Sequence, residues 1–218
     1  MRLPTRQLTM LLPMQDTGAR AARLAVMAYD IGQPRRARRV RRLLEAVHHA
    51  KQYSVFELRL PVGVLHGLLA EATALCNLDE DRLALWWPRD GLRFTWQPQA
   101  AAAQALANGG ARVAGGDAAL GGSGNFVVCY DISDAHVLQQ VGGRIAARGV
   151  MLQRSVYWLR LPAARLAHLL AGCAALIQED DRLWAYPLRH AGALWQVGES
   201  EAPPLLPIAT HHWREAGA

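Results

Sequence analysis

Apolar residues run almost unbroken over positions 24–29 and again over 126–130, and each run closes on a tyrosine followed by an aspartate, Tyr29-Asp30 and Tyr130-Asp131. A continuous apolar run of this length predicts a central strand covered on both faces. Behind the first run, Val40, Leu43, Leu44 and Val47 recur at i, i+3, i+4 and i+7, the stripe of an amphipathic helix. Val137, Val141 and Ile145 draw the equivalent stripe later in the chain. Segments 50–60 and 151–161 are rich in strand formers and long enough for one bent strand or two short ones. Pro61 and Pro162 then open second helices, with Leu65, Leu68 and Leu69, and Leu166, Leu169 and Leu170, facing inward. Residues 83–87 and 183–186 predict further strands, and 92–96 and 193–197 a last short one in each half.

The two halves are copies. Tyr29-Asp30-Ile31 returns as Tyr130-Asp131-Ile132, and residues 52–61 return at the same offset of 101 as residues 153–162. Without a gap, 29–76 and 130–177 share 18 identities in 48 positions. One deletion later, Asp81-Arg82-Leu83 meets Asp181-Arg182-Leu183. The element order is βαββαβ plus an extra C-terminal strand. The fold class expected is therefore α+β, two tandem ferredoxin-like domains forming an intramolecular pseudo-dimer. The domains span 23–97 and 125–198, after a leader over 1–22 and before a Pro-rich tail over 199–218. Between them, residues 98–124 are rich in Ala and Gly and read as a flexible linker, with a coil span of roughly 25–30 Å. Such a tether lets the copies pair face to face.

Composition adds a partner class. Of 218 residues, 51% are hydrophobic and 19% charged, which supplies a packed core and excludes wholesale disorder. No apolar run approaches the roughly 20 residues that cross a bilayer, and the leader lacks a signal-peptide core, so no membrane association is expected. Three widely spaced cysteines without a CxxC argue against disulfides and zinc and for a reducing cytoplasm. Residues 1–100 carry 15 Lys and Arg against 9 Asp and Glu, while 125–218 carry 8 against 8, so the net charge of +6 sits in the first half. Arg35, Arg36, Arg38, Arg39, Arg41 and Arg42 crowd the helix opposite its apolar stripe. Six like charges within about two turns repel one another unless an anion neutralises them, which points to a phosphate backbone. Lys51 and Arg154 are weaker candidates for the same role. The matching helix of copy two has His136, Gln139, Gln140, Arg144 and Arg148 and no cluster, so binding is expected to be asymmetric.

An apolar strand ending in Tyr29-Asp30-Ile31, a basic helix, and then Gln52-Tyr53-Ser54-Val55-Phe56-Glu57 together resemble the CRISPR-associated protein Cas-two (Cas2). Residues 24–97 carry the likeness and 125–198 a diverged second copy, so the chain looks like a covalently fused dimer. The resemblance implies a subunit of CRISPR adaptation, the antiviral acquisition of spacers. Such a subunit bridges dimers of the Cas-one integrase and holds duplex DNA, as spacer precursor and CRISPR array. It also implies an alternative, a metal-dependent endonuclease on RNA or double-stranded DNA, in which the aspartate closing the first strand binds Mg²⁺ at the dimer axis. Those positions are Asp30 and Asp131, as metal ligands and as catalytic residues. Two carboxylates plus water suffice for Mg²⁺, which takes hard oxygen ligands and keeps its waters. The plainer role for each aspartate is a cap on the turn into the next helix. No His or Lys lies beside either one, so any chemistry rests on the metal. An RNA-cleaving toxin of the same small fold is a further alternative. In the tail, Leu205, Leu206, Ile208 and Trp213 are expected to dock onto the integrase partner.

Overall fold

The computed structural model describes residues 22–91, 93–96, 123–189 and 194–198. The leader, nearly all of the linker and the tail, with Leu205, Leu206, Ile208 and Trp213, lie outside the described residues. The first copy runs β1 (Arg23–Asp30), α1 (Pro34–Glu45), β2 (His48–Gln52), β3 (Val55–Leu60), α2 (Val62–Ala74), β4 (Arg82–Trp86) and β5 (Phe94–Trp96). The second runs β6 (Ser123–Asp131), α3 (Ala135–Ala146), β7 (Gly149–Gln153), β8 (Val156–Pro162), α4 (Ala163–Ala174), β9 (Arg182–Leu188) and β10 (Leu194–Val197). The β-rich segment in each copy is two strands on a two-residue turn, pairing Gln52 with Val55 and Gln153 with Val156.

Each copy builds an antiparallel sheet in the ferredoxin-like order, β4-β1-β3-β2 and β9-β6-β8-β7. The central strands are apolar throughout because both faces are covered. On β1, Ala25 and Met27 face α1 and α2, while Val26 and Ala28 face the other sheet. On β6, Phe126 and Val128 face α3 and α4, while Val127 and Cys129 face back. The molecule is therefore four layers, helix–sheet–sheet–helix, with a third core of strand residues between the sheets.

The extra strand of each copy adds to the other copy's sheet. β10 pairs with β4, Leu194 opposite Trp86, and β5 pairs with β9, Phe94 opposite Ala185. Beyond β4 the chain bridges Pro88 to Leu188 and turns at Asp90 (φ 55°), which carries it across to the second sheet. The exchange caps the exposed edge of β4 and of β9 with a strand from the partner copy. Past β10, Gly198 adopts φ 97°, and a Cβ there would run into the Asp81 carbonyl oxygen. Gly198→Ala is therefore expected to loosen β10 from β4 and destabilise the chain by about 2 kcal/mol, read from the denaturation midpoint.

The buried seam between sheets carries an asymmetric polar pair. Glu57 on β3 accepts from the Tyr186 hydroxyl at 3.0 Å and from the Arg93 guanidinium at 2.9 Å. Arg93 also lies 4.4 Å from the Trp184 ring centre. At the positions equivalent to Glu57 and Tyr186 stand Trp158 and Trp86, so one half of the seam is polar and the other apolar. Burial first, then the nearby Cys129 and Glu57, raises the Tyr186 phenol far above its ordinary value and keeps it a donor.

Candidate nucleic-acid interface

Helix α1 starts at Pro34, where the fixed ring and missing N–H suit the first turn, and Gln33 caps it by accepting from the Arg36 amide at 2.6 Å. The corresponding cap on α3 is Asp134, accepting from His136 and Val137. Capping therefore falls to Gln33 and Asp134, and Asp30 and Asp131 are left at the strand ends for another role.

Val40 and Leu44 bury the inner face of α1, and its outer face is basic. Arg35, Arg38, Arg39 and Arg42 are exposed and, among the described residues, have no carboxylate partner. Arg36 departs from the sequence expectation. Its guanidinium grips the fully buried Asp81 carboxylate at 2.6 and 3.2 Å and also reaches Glu80 at 2.6 Å. Asp81 further accepts from the Asn77 amide. The repeated aspartate of copy two, Asp181, does the same work through the Ser133 amide and hydroxyl. Arg36 thus ties the start of α1 to the loop before β4 and is spent on structure. Arg41 and Lys51 share Glu45, at 2.9 and 2.5 Å. In copy two the exposed Arg144 and Arg148 spend donors on the backbone: Arg144 donates to the Gly172 carbonyl and Arg148 to the Arg144 carbonyl.

Those two partners, Lys51 first and then Arg41, pull the Glu45 carboxyl down to about 2. A depressed acid contributes stability above its unfolded value near 4.5, lost as pH falls towards about 2. Glu45→Gln removes the carboxylate that holds both cations among the described residues. It is expected to raise duplex affinity severalfold and steepen the salt dependence by about one counterion, as measured by titration at several salt concentrations. Unchanged affinity would place Arg41 and Lys51 away from the ligand.

A cleft of about 520 Å³ opens where the two copies meet at the ends of β1 and β6. Asp30 and Asp131 both line it, with Arg38, Arg41 and Arg154. The β2–β3 and β7–β8 turns are held against the strand ends by matching bonds, from the Tyr29 amide to the Ser54 carbonyl and from the Tyr130 amide to the Ser155 carbonyl, each 3.1 Å. One further contact crosses between copies, from the Arg154 amide to Asp30 Oδ2 at 3.4 Å. Burial, reinforced by Asp181 and opposed by Arg182, holds the Asp131 carboxyl above its ordinary value. Among the described residues no group of three or more His, Cys, Asp or Glu could hold an ion. The pair Asp30 and Asp131 still fits a hydrated Mg²⁺ on the chemistry of its donors, since hard carboxylate oxygens in a solvent-open cleft leave most of the coordination to water.

Ser54 and Ser155 are part of the turns. Val55 and Val156 pack between the sheets, Phe56 and Tyr157 under the helices. The three thiols are free, and burial raises Cys76 to about 11 and Cys129 further, which leaves them poor nucleophiles. Sequence reasoning missed Tyr53, which is 72% exposed and has φ 45° at the rim of the cleft, and the Arg93–Glu57–Tyr186 contact. Periodicity gave no signal for the first, because Tyr53 sits on a turn and a turn residue does not obey a strand's period.

The family model of CRISPR associated protein Cas2 matches twice, over residues 23–89 and 125–193, together more than half of the chain. A relative from Thermus thermophilus, named CRISPR-associated endoribonuclease Cas2, is 38% identical over 73 residues, covering 33% of this chain and 78% of that protein. One from Nitrosomonas europaea, named CRISPR-associated endoribonuclease Cas2 1, is 32% identical over 80 residues, covering 36% and 76%. A crystal structure of a hypothetical protein from Thermus thermophilus, at 32% identity, covers 31% of this chain and 83% of its own, with a TM-score of 0.30.

Proposed function

The chain belongs to the CRISPR associated protein Cas2 family as a tandem duplication, and from that premise we propose that it is a spacer-acquisition subunit that binds duplex DNA and bridges dimers of the integrase. The observation that supports this most is the row of exposed, carboxylate-free arginines on α1, Arg35, Arg38, Arg39 and Arg42, set against the single arginine, Arg144, on α3. Exposed guanidinium groups spaced along one helix face contact successive phosphates and release counterions, which gives affinity without sequence preference. Such binding suits a protein that must accept spacers of any sequence. Fusion fixes both copies in one chain, and the exchanged strands β5 and β10 hold them as a rigid pair. Among the described residues no helix is long and apolar enough to cross a membrane, and the proposed site of action is the cytoplasm. Reconstitution with the co-encoded integrase tests the reading: integration into a repeat-bearing plasmid depends on this chain if it bridges, and proceeds without it if it does not.

A second reading, a metal-dependent endonuclease, is favoured by one observation, that Asp30 and Asp131 line a single cleft between the copies. A Mg²⁺ held there would polarise a phosphoryl oxygen and activate a water. The chain's own part is to present the two carboxylates at the strand ends, with Arg38, Arg41 and Arg154 available to hold a phosphate beside them.

A further inference from the structure

The cleft between the copies is not symmetric. The two turns that face it have equivalent positions occupied by Tyr53 in copy one and Arg154 in copy two. Copy one adds Arg38 and Arg41 to its wall, whereas the positions equivalent to these are Gln139 and Gly142, and copy two contributes Leu138 instead. Tyr53 is held in the left-handed backbone region, φ 45°, and its ring is largely in solvent. In copy two the positive φ moves one position on, to Ser155. A non-glycine residue at positive φ costs conformational energy, and such strain gathers where a side chain must be aimed.

From this juxtaposition we infer that the cleft is a subsite for an unpaired nucleotide, with its base stacked on Tyr53 and its phosphate held by Arg154, Arg38 and Arg41. A base inside a duplex has both faces covered by its neighbours, so an exposed aromatic ring at a rim stacks on an unpaired base or on the last pair of a duplex end, and the small cleft beside Tyr53 favours the unpaired base. The volume, about 520 Å³, admits roughly one nucleotide and excludes a duplex. The carboxylates of Asp30 and Asp131 in the same cleft repel a phosphate, which places it at the guanidinium groups. Because aromatic ring and guanidinium occupy equivalent places on opposite sides, the strand lies across the pseudo-two-fold in one direction. A homodimer, with two identical turns, has no means of imposing that polarity. The subsite adjoins the outer face of α1 proposed for duplex DNA and shares Arg38 with it, whereas Tyr53 and Arg154 lie off that helix.

The test uses the full chain in EDTA, with fluorescent dodecamers as probes: a mixed-sequence single-stranded DNA, an abasic strand with the same phosphates, and the matched duplex. Tyr53→Ala is expected to weaken the single strand about tenfold and leave the abasic strand and the duplex unchanged, since stacking needs a base. Tyr53→Phe keeps wild-type affinity. Arg154→Ala weakens both single strands, because it removes a phosphate contact. Equal loss on normal and abasic strands for Tyr53→Ala, or no loss on either, overturns the inference. A loss of duplex binding as large as that of the single strand overturns it as well. Tyr53 and Arg154 lie off α1, so their variants read the strand whether or not the α1 arginines bind duplex, and the two readings fail separately.

Discussion

Reversing Arg35, Arg38 and Arg39 to glutamate is expected to weaken duplex binding by at least about a hundredfold near 0.1 M salt and to lower the salt slope by about three, because three phosphate contacts become repulsions. The same reversal at Arg144 and Arg148 is expected to cost far less, since those side chains already spend donors on the carbonyls of Gly172 and Arg144. Salt-dependent titrations of both variants check the pair. Equal losses contradict the claim that copy one carries the duplex. Arg36 supplies an internal control. Its guanidinium lies on the buried Asp81, so Arg36→Ala strands a buried charge and lowers stability more than it lowers binding.

Arg93→Ala is expected to destabilise the fold by about 3 kcal/mol, the usual cost of leaving a buried carboxylate without its cation. Glu57 is 4% exposed, and the loss of Arg93 leaves, among the described residues, the Tyr186 hydroxyl alone to satisfy it. The effect extends beyond one contact, because Arg93 leads into β5, the strand that crosses to the second sheet. Urea denaturation of Arg93→Ala and of Glu57→Gln/Arg93→Ala separates charge from packing. The double variant, which keeps an acceptor for Tyr186 without a charge, recovers most of the loss. A single variant within about 1 kcal/mol of wild type would show that the pair does not hold the seam.

The repeat made most of the fold readable. A residue that recurs at a fixed offset must play the same part twice, which located β1 and β6, both second helices and the paired aspartates. Periodicity also set which side of each strand is buried, but it does not say what covers it. Val26 and Val127 meet across the seam between sheets, and nothing in their spacing distinguishes that from a solvent-shielding helix. The exchange of β5 and β10 was likewise hidden. A strand's sequence fixes its period, while its neighbour is chosen by the turn at Asp90 and the free edge it reaches. At the site, charge density on α1 was legible and charge availability was not. Arg36 is bound by Asp81, 45 positions away, and no local pattern announces a partner at that distance. The approach of Asp30 and Asp131 to one cleft followed from the pseudo-symmetry, and Tyr53 stayed invisible because a side chain on a tight turn follows neither period.

Spacer integration by the chain with its co-encoded integrase bears most directly on the bridging role, compared between wild type and Asp30→Asn/Asp131→Asn with duplex affinity measured alongside. A bridge that works through its arginine face predicts undiminished integration and unchanged duplex binding in the double variant. Integration abolished while duplex binding survives contradicts that role and makes the carboxylate pair, with the ion it would hold, the working centre of the molecule.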